Sequence, residues 1–233
     1  MRRTEVVSLL REGRVSWDAA FALQKQAAAR VKAGGPEALF LLEHEDVVTV
    51  GRNAGLGELL VSEDLLRQKG IALRVADRGG KLTFHGPGQL VVYPVLDLSP
   101  DRRDVRRYVR DLEEALIRTA RDFGVEAARS PVPDRWASVW VGNDKLAAIG
   151  VHLSRWVTTH GAALNVTTDL ARFSLFVPCG IADGGVTSLA RLAAGTPPSL
   201  AEVAGRFVVH FSDVFEREVG AWESRILAAS TSS

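Results

Sequence analysis

Residues 78–94 read RGGKLTFHGPGQLVVYP, and the reading of the fold starts from this stretch. Gly79-Gly80 opens it, five residues follow, and Gly86-Pro87-Gly88 turns the chain again before the apolar run Leu90-Val91-Val92-Tyr93. Glycine permits close approaches and dihedrals that a Cβ forbids, and proline stiffens a turn. Arg78, Lys81, Thr83 and His85 stand between the two turns, and the β-branched run behind them has the signature of a buried strand. Two readings are open: a shaped loop held on a sheet as a binding wall, or a plain hairpin with glycine turns. A phosphate-cradling GxxxxGK[ST] loop is excluded, because Val75 stands where its first glycine belongs and Leu82 where its Ser or Thr belongs. Gly86-Pro87-Gly88 lacks the third glycine of a dinucleotide fingerprint.

Outward from this stretch the pattern alternates between strands and helices. Ser16 is placed to cap a helix reaching Lys32, with Trp17, Phe21, Gln24, Ala28 and Val31 near one face and Gly34-Gly35 at its end. Residues 38–42 and 47–50 read as two strands joined by a polar turn that exposes His44. Ser62 begins a short helix that Gly70 closes, and residues 71–76 form a strand leading into the glycine loop. On the far side, Ser99-Pro100 looks like the cap and first residue of a helix that runs to Phe123-Gly124. Its buried stripe is Val105, Val109, Leu112, Leu116 and Ala120, with Arg103, Arg106, Arg107 and Arg110 opposite. Residues 136–141 and 145–151 read as a hairpin around Gly142-Asn143-Asp144. More strand follows at 157–159 and 163–166, then a loop containing Pro178-Cys179-Gly180. Ser199 with Glu202 three residues on is a capping box for the last strong helix.

The bounds are ordinary. A chain of 233 residues, 46% hydrophobic and 24% charged, can bury a substantial core and reads as one globular domain, 1–233. A net charge of +1 gives no reason to expect nucleic acid or an anionic membrane. No apolar stretch is long enough to span a bilayer, and MRRTEVVSLL followed by Arg11, Glu12 and Arg14 does not read as a secretory leader. The single cysteine allows no internal disulfide, so the expected compartment is cytoplasmic.

That cysteine, Cys179, is either a small buried hydrophobe or, held between proline and glycine, an accessible nucleophile. Lys145 opens a hairpin strand on the same row as Ala147, Ile149 and Val151. It is either partly desolvated, in which case lysine can give up its proton where arginine cannot, or a turn lysine reaching water. Only five of the 29 basic residues are lysine, which draws attention to it. His85 and His160 each precede a glycine and are open to lining or orienting roles or to being satisfied core histidines. No metal site is expected: neither has a second ligand at suitable spacing, and Val48 breaks an HExxH at His44. There is no GxSxG elbow.

Three blocks together carry a resemblance: RGGKLTFHGPGQLVVYP at Arg78, KLAAIGVHLSRWVTTHGAALNV at Lys145 and FSLFVPCGIADGGVTSL at Phe173, with LLEHEDVVTVGR around His44 as a fourth. They resemble, in order and in spacing, the signature segments of the octanoyltransferases, the lipoyl(octanoyl) transferase family. The resemblance implies an α/β (α+β) fold with a mixed β-sheet flanked by helices, similar to the biotin and lipoate protein ligase catalytic fold. It implies transfer of an octanoyl group from acyl carrier protein to a lysine of lipoyl domains and of the glycine cleavage H protein, with no cofactor. Cys179 is then implied as the acyl-thioester nucleophile and Lys145 as the partner that lowers its pKa. The acyl pocket is implied at Arg78, Gly79, Gly80, Lys81, Leu82, Thr83, Phe84 and His85, at Ala148, Ile149 and Gly150, and at Gly161, Ala162 and Ala163. His152 and Trp156 depart from the family's usual arginine and small residue. Two other readings compete: an ATP-dependent lipoate or biotin ligase on the same fold, and a non-catalytic carrier-binding module.

Overall fold

A computed structural model describes residues 2–54, 56–130, 137–176 and 184–220. Strand β1 (Arg2–Ser8) leads to helix α1 (Trp17–Lys32), whose cap is Ser16 accepting from the Ala19 N–H, as the sequence predicts. Strands β2 (Glu37–Leu42) and β3 (Val47–Val50) follow, then the short helix α2 (Glu63–Gln68), β4 (Ala72–Val75), β5 (Leu82–His85) and β6 (Gln89–Val95). Helix α3 (Val105–Asp122) precedes the short β7 (Ala128–Arg129), the hairpin β8 (Ser138–Val141) and β9 (Asp144–Ser154), and β10 (Val157–Asn165). The chain continues through β11 (Gly185–Val186), α4 (Leu189–Leu192), α5 (Leu200–Phe215) and β12 (Arg217–Val219).

These strands make two sheets. The larger runs β12-β1-β2-β6-β10-β9-β8-β7, with β11 joined to β9. It is mixed, with β1 parallel to β2 and β12 and antiparallel pairing from β2 through β7. Every residue of β2 and β6 is buried because helices cover both faces. Leu39, Leu41, Leu90 and Val92 pack toward α3 and α5, and their neighbours Ala38, Phe40, Leu42, Val91, Tyr93 and Val95 pack toward α1. The smaller sheet runs β4-β3-β5 and has a core of its own, including Val48, Leu82, Phe84, Phe173 and Phe176. Among the described residues, no helix is long and apolar enough to cross a membrane.

Three expectations change. Residues 38–42 and 47–50 do form strands, but they belong to different sheets, and the turn between them hides His44 instead of exposing it. His44 is fully buried: its Nδ1–H donates to the Val15 carbonyl (2.8 Å), and Nε2 accepts from the Tyr93 hydroxyl (2.9 Å). Burial lowers its pKa to about 4, so the ring is neutral. Helix α3 starts five residues after Pro100. Asp97 Oδ1 accepts from both the backbone N–H and the hydroxyl of Ser99 and ties it into a turn, and Asp104 caps the helix through the Arg106 and Arg107 N–H groups. Arg103 therefore lies outside the helix, with its guanidinium 5.6 Å from the Trp156 ring centroid. The two segments at 157–159 and 163–166 are joined in one strand, β10, which passes through His160 with a φ of +57°.

Pro94, next to last in the central strand β6, has no N–H to give a neighbouring strand. The Thr158 hydroxyl donates to the Pro94 carbonyl (2.7 Å), and the His160 N–H donates to Gln24 Oε1 of α1 (2.6 Å). A buried polar residue of α1 thus satisfies a backbone donor of β10.

Candidate active site

A cavity of about 560 Å³ lies between the large sheet, the small sheet and the start of α3, where Val105 and Val109 close it. Its wall contains residues 78–83, His85, residues 148–150, residues 161–163 and Lys145, so the structure brings together nearly all the residues singled out from the sequence. Phe84 is not in the wall. Its ring is buried in the small sheet's core, edge-on to Phe173, because side chains alternate along β5.

The glycine loop joins the two sheets. The Gly79 N–H donates to the Val151 carbonyl of β9, while Arg52 and Asn53, just past β3, donate to the carbonyls of Arg78 and Gly80. Arg78 is buried and clamps the same junction: Nη2 donates to the carbonyl (2.8 Å) and hydroxyl (2.6 Å) of Thr49, and Nη1 to the Gly79 carbonyl (3.0 Å). Gly80 has φ of +81°, with no close neighbour to a Cβ, so its backbone conformation and not clearance calls for glycine. Lys81 is half exposed and pairs with Glu58 at 2.6 Å.

Lys145 stands at the start of β9 with its ammonium 5.1 Å from the Trp140 ring centroid. Cys179 lies outside the described residues. Phe176 before it and Val186 after it both line the cavity, and β11 pairs Val186 with Lys145. Among the described residues, no group of three or more His, Asp or Glu side chains is placed to hold a metal ion.

The polar part of the wall includes residues that sequence reasoning passed over: Gln89, Tyr93 and Asn165. Gln89 opens β6 and Asn165 closes β10, each a buried amide next to an apolar run, and that placement was the available signal. His85 Nδ1 lies 2.8 Å from Gln89 Oε1, and burial holds the His85 pKa well below its ordinary value. His160 is also in the wall, with its Nε2–H donating to Asp77 Oδ1 at 2.6 Å. Burial lowers the His160 pKa, and Asp77 opposes the shift only in part. Burial raises the Asp77 carboxyl, but His160 and His152 outweigh it and bring it below the usual range. His152 Nε2 is 3.8 Å from the same carboxylate. Neither His152 nor Trp156 lines the cavity, so these two departures leave its wall unchanged.

Comparison with known proteins gives this cavity a family. Residues 17–212 match the lipoyl protein ligase A/B catalytic domain. The octanoyltransferase of Solibacter usitatus (strain Ellin6076) is 51% identical over 208 residues, covering 89% of this chain and 92% of that one. Among solved structures, lipoate-protein ligase A bound with ATP superposes with a TM-score of 0.77 at 19% identity, over 97% of this chain and 90% of that one. The bi-partite lipoate protein ligase of Thermoplasma acidophilum, studied with its E2 lipoyl domain, gives 0.74 at 18% identity over 97% and 88%. The two structures establish the mixed-sheet ligase fold, and the sequence matches go further: the chain belongs to the octanoyltransferases, within the lipoyl protein ligase A/B catalytic family.

Proposed function

We propose that this chain, as a single domain of the cytoplasm, takes an octanoyl group from octanoyl-acyl carrier protein and passes it to a lysine of a lipoyl domain or of the glycine cleavage H protein. Cys179 is the nucleophile and carries the octanoyl group as a thioester between the two halves. An unperturbed thiol has a pKa of about 8.5 and is only a few per cent thiolate at neutral pH. The Lys145 ammonium favours the thiolate by charge and protonates the departing carrier thiol. In the second half the neutral amine of Lys145 accepts a proton from the incoming lysine. The octanoyl chain occupies the cavity, where six methylenes at about 0.8 kcal/mol each hold it with about 5 kcal/mol. The loop from 78 to 83, together with His85, forms one side of that acyl site, and residues 148–150 and 161–163 form the other.

The observation that carries this reading is the placement of Lys145 on a cavity whose wall also contains Phe176 and Val186, which flank Cys179 in the chain. The likeness to a ligase bound with ATP is one of fold, at 19% identity, and brings no nucleotide to this chain. The test is to incubate the purified chain with octanoyl-carrier and a lipoyl domain without ATP, and to weigh the domain. Octanoylated domain is expected. Transfer that occurs only from free octanoate with ATP would overturn the proposal in favour of a ligase.

A further inference from the structure

The cavity holds an imidazole whose tautomer the surrounding fold fixes. Gln89 Nε2 donates to the Phe84 carbonyl (3.2 Å) and to Asn165 Oδ1 (3.0 Å), and Asn165 Nδ2 donates to the Thr187 carbonyl (3.0 Å). Carbonyls only accept, so both amide side chains are locked in orientation. Gln89 Oε1 is therefore the atom that meets His85 Nδ1 at 2.8 Å, and this ring nitrogen must carry the hydrogen. The lone pair of the neutral ring is then on Nε2, and His85 lines the cavity. His85 is 7% exposed and faces His44, Arg78 and His160; burial first, then those neighbours, keep the ring neutral at ordinary pH. The relay also ends beside Lys145: Thr187, whose carbonyl closes it, donates its own N–H to the Lys145 carbonyl (2.9 Å).

The thioester reading leaves one proton unassigned, and this inference rests on that reading. A lysine arrives at neutral pH as an ammonium ion, since its pKa is about 10.4. Its nitrogen forms the amide C–N bond, the C–S bond to Cys179 breaks, and the products are an amide and a thiolate with two protons released. Lys145, neutral after protonating the carrier thiol, takes back one. The other needs a second base. We infer that His85 is that base: Nε2 accepts the N–H of the attacking amine and takes the proton that Lys145 does not, before passing it to solvent.

Two substitutions separate this role from a packing role. His85→Asn keeps a donor toward Gln89 and removes the acceptor at Nε2, whereas His85→Gln returns an amide oxygen near the Nε2 position. Preformed octanoyl-enzyme is discharged in single turnovers either by a lipoyl domain or by hydroxylamine. Hydroxylamine arrives already unprotonated at neutral pH and needs one proton acceptor fewer. A positioned general base contributes about 10²–10⁴-fold. His85→Asn is expected to slow discharge to the lipoyl domain about 10²-fold and hydroxylamine discharge less than a tenth as much. His85→Gln is expected to stay as slow, because an amide oxygen accepts a hydrogen bond but cannot take a proton; recovery in His85→Gln would overturn the role of base. The deficit should also narrow as pH rises toward the lysine pKa, where more of the acceptor arrives as free amine. Equal slowing with both amines, equal slowing of acylation, no slowing, or a pH-independent deficit would overturn the assignment. If the unaltered protein forms no octanoyl-enzyme, the thioester reading itself fails, and this inference with it.

Discussion

Lys145→Arg is expected to form octanoyl-enzyme within about tenfold of the unaltered rate and to hand the octanoyl group to a lipoyl domain about 10³-fold more slowly. The two halves ask different things of position 145. Acylation needs a positive charge to favour the thiolate, and a guanidinium supplies one. The proton that Lys145 gives the departing carrier thiol can then come from water, because a thiol leaves readily as its anion. The guanidinium also suits the Trp140 ring, which lies 5.1 Å from the lysine ammonium. Aminolysis needs a group that can lose a proton and regain it, and arginine stays protonated throughout. Lys145→Met, lacking both charge and base, should depress both halves. Single-turnover measurement of each half decides the matter. If Lys145→Arg ran both halves at the unaltered rate, the residue would be a charge only, and the proton transfer assigned to it would fall.

The second large effect concerns the fold beneath the cavity. A Cβ at Gly161 would stand 2.2 Å from the Val92 carbonyl oxygen and 2.7 Å from Pro94 Cδ. Both belong to β6, a central strand buried throughout, so neither can withdraw as a flexible side chain would. Overpacking a core costs about 1–3 kcal/mol, and a clash with central backbone belongs at the top of that range. Gly161→Ala should lower Tm by roughly 6–12 °C in a domain of this size. It should also impair transfer, because forcing β10 off β6 moves Ala162 and Ala163, which line the cavity. Gly205→Ala is the control: it lies in α5 with open space around its Cβ, and alanine there should stabilise by about 0.5–1 kcal/mol. Thermal melts of the two variants would contradict this account if Gly161→Ala were as stable as Gly205→Ala.

What could be read from the sequence is what local chemistry decides. The run Leu90-Val91-Val92-Tyr93 is apolar without alternation because helices cover both faces of β6, and that pattern needs no knowledge of partners. The caps at Ser16 and Ser199 bond within three residues of themselves, so they too are legible. His44 was misread for the opposite reason. Its neighbours Glu45 and Asp46 mark a turn, but the groups that satisfy its ring, the Val15 carbonyl and the Tyr93 hydroxyl, come from elsewhere in the chain. The start of α3 was misplaced because Ser99-Pro100 imitates a cap, and only the competing bond from Asp97 reveals a turn. The cavity wall was legible where glycine and charge cluster along one segment. Asn165 and Asp77 were not, because the Gln89 amide and the His160 ring that give them their roles stand 76 and 83 residues away. Gln89 was not, because its bond to His85 matters only once both line a cavity.

The central claim, that Cys179 carries the octanoyl group, is tested most directly by the intact mass of the protein after exposure to octanoyl-carrier alone. The account predicts one added octanoyl group, located on Cys179 by peptide mapping, lost on addition of a lipoyl domain and absent in Cys179→Ala. A protein that octanoylates the lipoyl domain while never gaining that mass, or that gains it equally in Cys179→Ala, would contradict it.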